Sequence, residues 1–452
     1  MTEINWQKED DAILFRPIFA TGWRFYATVS VLGALVLWGL VSYIVQFQQG
    51  LGVTGMGFPV SWSFYIINFV FFIGISHAGT LISAILRLSQ AEWRRPVTRI
   101  AEVITVLVLG IGGMNILIDL GRPDRILNLF YYGRYQSPLL WDATSVTAYL
   151  TASSVYLYIP MIPDIAMLRD RCPDGWRRFF YQTMALGWEG TEAQHRVLNR
   201  AIAIMAVLVV PIAVSVHTVV SFVFSMTLQP MWHSTIFGPY FVVGAIFSGT
   251  ATLLVAMAIL RKLFHLEDYL QPIHFNYLGL LMLVMVLLWT YFTFAEYLTT
   301  YYGNEPNEMR VFFSKFSGKY APFFWGMVIC NLVIPFPLLA INRLRTISGT
   351  VIASVFIIIG MWLERFIIIV PTLANPRLPE YAQGSYVPSI VEIGIMVGCT
   401  ALFCLLYVLF SKLFPIVSIA EIREGREQSE AIVQARLRRY TPGLGKLPEA
   451  IS

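Results

Sequence analysis

Two carboxylates stand at the ends of two successive apolar segments. Asp119 closes the run ILIDLGRPDR and Asp142 opens the next one in SPLLWDAT, so a short loop is expected to hold both acids, with Arg122, at one face of a membrane. Ionisable groups near hydrocarbon depth are costly, and they occur where protons, ions or the polar head of a ligand are handled. This acidic pair is therefore the first candidate site.

The chemistry that suits such a pair is the oxidation of a quinol. A quinol releases two protons together with two electrons, so each of its hydroxyl groups needs a hydrogen-bond acceptor and a path to water. Asp119 and Asp142 would be those acceptors, with Arg122 beside them to decide which carboxylate holds a proton. A structural alternative stays open, in which Asp142 caps its helix and Asp119 pairs with Arg122 or Arg125.

The composition indicates the class of protein that carries these acids. Hydrophobic residues make up 57% of the 452 residues and charged residues only 13%, and the mean hydropathy is +0.64. These values are typical of an integral membrane protein. The apolar segments are near the ~20 residues that a helix needs to cross a bilayer. They predict an all-α, polytopic protein with ten spans, at residues 26–48, 62–86, 97–119, 141–163, 199–228, 238–262, 274–302, 323–342, 350–370 and 389–412.

The positions of Lys and Arg predict the orientation. With the N-terminus inside, 24 of the 32 basic residues lie on the cytoplasmic side, where positive charge is favoured. Both termini are therefore expected in the cytoplasm, and Asp119 and Asp142 at the outer face. The chain divides into a cytoplasmic segment, a transmembrane domain and a cytoplasmic tail that either lies on anionic lipid or is solvated, with bounds at residues 1–24, 25–414 and 415–452.

A short motif recurs in spans two and six. Both contain G-x4-G-T, starting at Gly74 and at Gly244. A duplication of two four-helix bundles, spans 2–5 and spans 6–9, with the first and last helices at the periphery, would explain the spacing. Small residues that permit close helix approach would explain it without duplication.

Other ionisable residues fall inside the spans. Counting 1.5 Å per residue from the span ends places the following in the outer half: His217, Glu296, Glu364 and Arg365. Arg365 is expected to support the site by neutralising Glu296 or one of the aspartates, or else to form a structural ion pair. Adjacent residues of a helix point about 100° apart, so Glu364 and Arg365 are each expected to need a separate partner. His77 and Glu102 fall toward the inner face and are candidates for a proton route.

Redox metal ligands are not evident in the sequence. His77 and His217 could be haem ligands, proton carriers or core residues. Haem is disfavoured because their predicted depths are opposite, whereas a dihaem bundle needs matched pairs. The four cysteines show no spacing for an iron–sulfur cluster or zinc, so no metal site is predicted. Most aromatic residues at span ends are expected to be interfacial anchors, although Trp141 could line the entry for an isoprenoid ligand.

Five ordered motifs carry a resemblance that runs from about residue 25 to 415. They are HAGTLISAILRL, the Asp-Leu-Gly-Arg-Pro turn at Asp119, SPLLWD, Val210-Pro-Ile-Ala-Val-Ser-Val-His217 and Gly360-Met-Trp-Leu-Glu-Arg-Phe366. Together they resemble the NrfD/polysulfide-reductase membrane-subunit family. Within it the chain is most similar to the larger quinol-oxidising membrane subunit of alternative complex III.

This resemblance implies a subunit of the bacterial inner membrane that oxidises a quinol, menaquinol being expected, and binds no haem or cluster itself. Electrons would pass to an iron–sulfur subunit on the outer face and then to multihaem cytochrome c subunits. A second NrfD-like membrane subunit would lie beside it. The key pair of the family is a His before the Gly-Arg-Pro turn and the Asp of SPLLWD. Asp142 matches that Asp, whereas Asp119 replaces the His, and the loop from Gly121 to Trp141 is shorter than expected.

Two functions from different classes therefore compete. One is quinol oxidation, with Asp119 and Asp142 as proton acceptors and Arg122, His217, Trp141, Glu296 and Arg365 in support. The other is a proton- or ion-coupled transporter that would use the same buried charges around a central cavity. The predicted place of the acid pair, at the outer rim and away from the midplane, favours the quinol site. Membrane lipid is the expected surrounding, and no nucleic-acid partner is expected.

Overall fold

The protein is all-α, as predicted. A computed structural model describes residues 13–19, 21–378 and 380–427, and no strand occurs among them. Ten long helices are labelled in chain order α1 Trp23–Gln49, α2 Phe64–Leu88, α3 Arg95–Asp119, α4 Pro138–Arg171, α5 Glu192–Ser225, α6 Phe237–Leu263, α7 Pro272–Gly303, α8 Ala321–Ala340, α9 Ile347–Ala374 and α10 Ile390–Leu413. Among these described residues, nine helices are long and apolar enough to cross a membrane. The tenth, α4, is 34 residues long and carries more charge, including Asp142 and Asp164.

Shorter helices connect the long ones. They are Arg16–Phe19, Leu51–Val53, Glu92–Arg94, Pro123–Arg125, Asn128–Tyr131, Trp176–Met184 and Pro306–Phe316. Several helix ends have a clear local cause. Thr191 and Ser389 form capping boxes at the starts of α5 and α10, in which side chain and backbone satisfy each other's free groups. Within α8, residues Ile329–Val333 form a π-helical turn just before Pro335, which has no N–H to continue the regular helix.

The long helices pack as two four-helix bundles. In the first, α2 packs on α3, α3 on α4, α4 on α5 and α5 back on α2. In the second, α6, α7, α8 and α9 close in the same way. The bundles meet chiefly through α2 and α6, while α1 and α10 pair outside them and α10 also touches α3. The predicted architecture of two bundles with peripheral first and last helices is confirmed.

The glycines of the repeated motif allow this close packing. A methyl group on Gly74 would lie 3.3 Å from Ser248 Oγ on α6, and one on Gly79 would lie 2.0 Å from the carbonyl oxygen of Ala101 on α3. A methyl on Gly244 would meet the Arg365 guanidinium at 2.8 Å. Close helix approach therefore accounts for the motif, and the paired bundles are also compatible with duplication.

The helix connectivity gives the bundles two distinct ends. The Asp119 end holds the carboxyl ends of α1, α3, α5, α7 and α9, and the Arg87 end holds the opposite ends of these helices. At the Arg87 end, residues 415–427 fold back against the first bundle and bury Ile416, Val417 and Ile419. The alternative in which the start of the tail is solvated is therefore wrong. The tail from residue 428 onward lies outside the described residues.

Charge as well as apolar contact holds this segment in place. Glu421 forms ion pairs with Arg87 at 2.5 Å and with Arg94 at 2.9 Å. Burial opposes ionisation of Glu421, but the two arginines outweigh it and hold its pKa below the ordinary value. Arg87 and Arg94, which are among the basic residues predicted on the cytoplasmic side, therefore have a specific protein partner in Glu421.

Candidate functional site

Asp119 is the last residue of α3, and the local sequence explains why the helix ends there. Gly121 adopts a left-handed conformation with φ of 63°, which terminates the helix, and Pro123 follows immediately. Asp119 is half-buried, and its Oδ1 atom is fully buried without a hydrogen-bond partner in the described part of the chain. A buried carboxylate oxygen without a partner is costly, and it can accept a hydrogen bond from a ligand hydroxyl.

Three polar residues that the sequence analysis missed surround this end of α3. The Gln46 amide on α1 donates to the Ile118 carbonyl at 3.0 Å, and the Tyr65 hydroxyl on α2 donates to Gln46 Oε1 at 2.5 Å. Glu392 on α10 is the charged residue that acts electrostatically on Asp119. Because these side chains come from three other helices, no spacing in the sequence links them to Asp119.

Glu392 itself is held by four hydrogen bonds. Its Oε1 accepts from the hydroxyls of Ser63 at 3.1 Å and Tyr386 at 2.8 Å. Its Oε2 accepts from the backbone N–H groups of Gly55 at 2.7 Å and Ser389 at 2.8 Å. This fully satisfied carboxylate ties the loops after α1 and α9 together. Its role is to position the surroundings, since none of its oxygens lacks a donor.

Asp142 lies one turn inside α4, at the same end of the bundle. The helix begins at Pro138 with Ser137 as its N-cap, so the alternative in which Asp142 caps the helix is wrong. Asp142 is only 6% exposed, and its Oδ1 also lacks a partner among the described residues. The indole N–H of the neighbouring Trp141 does not bond to Asp142 but donates to the Tyr135 carbonyl at 2.5 Å. Asp142 is thus a buried acid with free acceptor capacity.

The acids do not form the compact group with Arg122 that the sequence suggested. Arg122 is exposed and makes a two-pronged ion pair with Asp124, with both contacts at 3.1 Å. No hydrogen bond or ion pair joins Asp119 to Asp142 or to Arg125 within the described ranges. Since α3 and α4 pack together, both acids lie at the Asp119 end of neighbouring helices, and any shared ligand would have to bridge them.

The two buried histidines meet between the helices. The rings of His77 on α2 and His217 on α5 are 3.9 Å apart, centroid to centroid, and both side chains are fully buried. The prediction that they lie at opposite depths is wrong, because helix ends do not lie in one plane and counting from them misplaces depth. His77 Nε2 donates to the Ala213 carbonyl, whereas neither ring nitrogen of His217 has a partner in the described structure.

Arg365 and Glu364 lie close to this histidine pair. The Arg365 guanidinium packs 4.5 Å from the Phe241 ring, pairs with Glu364 at 3.2 Å, and acts electrostatically on His217. The Trp289 indole donates to Glu364 at 2.6 Å. Each residue therefore has a separate neighbour, Phe241 for Arg365 and Trp289 for Glu364, and the long Arg side chain also folds back onto Glu364. Arg365 therefore neither pairs with Glu296 nor with the aspartates.

Glu296 belongs to a different group at the Asp119 end. It is 8% exposed and accepts a hydrogen bond from the Ser234 hydroxyl at 2.6 Å. Lys315 is its cationic neighbour. Burial lowers the pKa of Lys315 to about 8, although the charge of Glu296 opposes that shift. Glu296 thus lies in the second bundle, apart from Asp119 and Asp142 on the first.

A series of hydroxyl groups lines the space between His77 and Glu102. Along α2 and α4, Thr80 and Ser153 contact at 3.3 Å, as do Ser83 and Tyr156. The Ser83 hydroxyl donates to Glu102 at 2.5 Å. The Tyr149 ring lies 5.3 Å from the His77 ring, centroid to centroid. The residues of this region are His77, Thr80, Ser83, Glu102, Tyr149, Ser153 and Tyr156. Hydrogen-bonding side chains that the sequence analysis did not single out therefore lie between His77 and Glu102 as separate pairs, and among the described residues Ser83 is the one that bonds to Glu102.

This fold and these buried ionisable groups define an integral membrane protein with polar sites inside its helix bundles. The family model "Polysulphide reductase, NrfD" matches residues 52–376, which is most of the chain. The chain belongs to this family, so it is a membrane subunit of an oxidoreductase complex whose other subunits carry out catalysis and electron transfer.

Three curated proteins are similar over nearly their full length. The chain is 26% identical to a putative dimethyl sulfoxide reductase membrane subunit of Halobacterium salinarum, covering 90% of this chain and 95% of that protein. It is 22% identical to a selenate reductase subunit of Mesobacillus selenatarsenatis, covering 86% and 93%. It is 25% identical to the "Hdr-like menaquinol oxidoreductase integral membrane subunit" of Archaeoglobus fulgidus, covering 92% and 100%.

Proposed function

We propose that this protein is the quinol-oxidising membrane subunit of a complex of the alternative complex III type, with Asp119 and Asp142 as its proton acceptors. The observation that carries the proposal is the pair of acids at one end of neighbouring helices, each with a buried oxygen that has no partner among the described residues. Menaquinol is the proposed substrate, because one relative is named a menaquinol oxidoreductase subunit.

The proposed chemistry separates protons from electrons. The two quinol hydroxyls donate hydrogen bonds to the carboxylates of Asp119 and Asp142, which take the two protons as the ring is oxidised to the quinone. The two electrons leave to an iron–sulfur subunit bound at the Asp119 end and then to multihaem cytochrome c subunits. Gln46 and Tyr65 hold the end of α3 in position. The family has a His at the position of Asp119, and the Asp119 carboxylate can accept a proton as that imidazole would.

The orientation follows from charge. The arginines at the Arg87 end belong to the cytoplasmic face of the bacterial inner membrane, so both termini are cytoplasmic and the Asp119 end faces outward. Protons accepted there are released to the outer side. A second NrfD-like subunit lies alongside in the membrane. Trp141 marks the lipid-facing entry of the quinol, since its ring is partly exposed next to Asp142.

The test compares three isosteric substitutions at the Asp119 end, in the complex purified with its partner subunits. Asp142→Asn and Asp119→Asn are each expected to lower the rate of quinol-dependent electron transfer about 100-fold or more, the usual contribution of a positioned proton acceptor. Asp124→Asn is the matched control, because Asp124 is exposed and pairs only with Arg122 in the described structure. Its rate should stay within about twofold. Normal turnover in both acid variants of an assembled complex would contradict the proposal.

A second candidate function, proton transfer through the membrane, is favoured by the hydroxyl series between His77 and Glu102. It would serve either as a route coupled to quinol oxidation or as the path of a proton-coupled transporter. In proteoliposomes containing the complex, Glu102→Gln should abolish proton uptake from the Arg87 end and leave proton release by the Asp pair. Uptake that is unchanged in this variant would remove His77 and Glu102 from any proton route.

A further inference from the structure

A group of three metal-ligating side chains lies at the Asp119 end, outside the proposed quinol site. His233 is in the connection between α5 and α6, while Glu305 and Glu308 begin the helix Pro306–Phe316 after α7. One imidazole nitrogen and one oxygen from each carboxylate all lie within 4.8 Å of one another. The two segments are distant in the sequence, so only the packing of the second bundle against the end of α5 brings these ligands together.

The hydrogen bonding of His233 shows which of its nitrogens faces the carboxylates. Its Nδ1 lies 3.1 Å from the Gln229 carbonyl oxygen, which can only accept, so Nδ1 carries the hydrogen. Nε2 is therefore the nitrogen that faces the carboxylates, and it lies 3.0 Å from Glu308 Oε1. A carbonyl on the far nitrogen is also the usual support of a metal-bound histidine.

We propose that His233, Glu305 and Glu308 bind a divalent transition-metal ion, with Zn²⁺ as the best fit. Imidazole nitrogen and carboxylate oxygen are both ligand types of Zn²⁺, and three protein ligands leave the fourth position to water. Bonds of about 2.1 Å require ligand atoms closer together than 4.8 Å. The exposed Glu305 side chain supplies that adjustment, and no ion pair or hydrogen bond of its carboxylate is found among the described residues.

The ion would act as a cross-link. It would join the connection between α5 and α6 to the helix that follows α7. Ser234, next to His233, already bonds to Glu296 on α7, so the two segments meet at this point without the metal. Binding would fix this connection against the helix Pro306–Phe316 at the end where partner subunits are proposed to dock. This role does not depend on whether quinol is oxidised at Asp119 and Asp142.

The experiment measures metal binding directly. The full-length protein is stripped with a chelator in detergent, titrated with Zn²⁺ by calorimetry, and examined with Co²⁺ by visible absorption. One ion per chain is expected, together with the absorption bands of four-coordinate Co²⁺ and a higher melting temperature. His233→Gln and Glu308→Gln should each weaken Zn²⁺ binding about tenfold or more. The control is His265→Gln, an exposed histidine at the Arg87 end, which should bind like the parent.

The results that would overturn the proposal are equally direct. Absence of a stoichiometric Zn²⁺ ion in the parent protein means that His233 and Glu308 form only an ion pair with a protonated ring. Equal Zn²⁺ affinity in parent, His233→Gln and Glu308→Gln means that the metal binds elsewhere. If one of these variants fails to elute as a folded protein, Glu305→Gln, on the exposed ligand, provides the same comparison.

Discussion

Replacement of Asp164 by Asn should release the segment of residues 415–427 from the Arg87 end. Asp164 on α4 is fully buried and forms an ion pair with Arg99 on α3 at 3.0 Å. It also accepts the backbone N–H of Ala420 at 2.9 Å, so one carboxylate joins two helices to the segment. Arg99 itself is 1% exposed and bonds to the carbonyl of Pro160 at 3.1 Å.

The magnitude follows from the charge that is left behind. Removal of one partner of a buried ion pair costs about 3–5 kcal/mol, because the other charge stays buried without compensation. Asn keeps one acceptor oxygen but directs an N–H group at either Arg99 or the Ala420 N–H. We therefore expect about 3 kcal/mol, near the lower limit, because the carbonyl oxygens around Arg99 still solvate it. At about 1.4 kcal/mol per factor of ten, local opening of the segment should become about 100-fold more frequent.

The assay follows the accessibility of a buried position in the segment. Val417, which is 1% exposed, is replaced by Cys in a background without the four native cysteines. The rate of maleimide labelling then reports the open population. Asp170→Asn is the matched control, since Asp170 pairs with Arg169 at the exposed end of the same helix. Its labelling rate should change about twofold or less, as expected for a surface ion pair.

The double replacement Arg99→Met with Asp164→Leu distinguishes lost charge balance from lost packing. Removal of both charges should restore most of the protection, because a buried ion pair can be replaced by apolar side chains with little loss. An unchanged labelling rate in Asp164→Asn would refute the inference that this carboxylate anchors the segment. A double variant that labels as fast as Asp164→Asn would refute the electrostatic reason for it.

Two further predictions concern the segment of residues 415–427 and the packing of α2 on α3. Acidification should also release residues 415–427. The pKa of Glu421 lies below its ordinary value of 4.5, so its stabilisation is present above pH 4.5 and is lost as the pH falls through the folded-state pKa. The labelling rate of Glu421→Gln divided by that of the parent should therefore fall toward one in acid, and a constant ratio would contradict this. Gly79→Ala should prevent assembly of the first bundle, because its methyl group would lie 2.0 Å from the Ala101 carbonyl oxygen. The control is Gly110→Ala, whose methyl group would have no atom within 4 Å and which should elute normally in gel filtration. Equal elution of both variants would show that α2 and α3 tolerate wider spacing.

Local sequence patterns were sufficient for the class of protein and its helices. Ten apolar segments near the length of a membrane span became ten long helices, because a backbone in lipid must satisfy its own hydrogen bonds within each helix. The bounds of α4 and α5 were less accurate, since both continue beyond their apolar segments at the Arg87 end. The predicted end of the third span at residue 119 agrees with α3, whereas α4 begins at Pro138, three residues before the predicted start at residue 141.

Contacts between helices could not be read in this way. The meeting of His77 with His217 and the ion pair of Glu364 with Arg365 depend on the rotation and crossing of packed helices and on side-chain rotamers. Gln46 joins the end of α3 only because α1 packs beside it. By itself the sequence determined which segments are helical and which end carries the acids, because those properties arise from neighbouring residues. Only the tertiary structure decided which polar groups touch, because burial between helices satisfies each group with whatever partner the packing brings within reach.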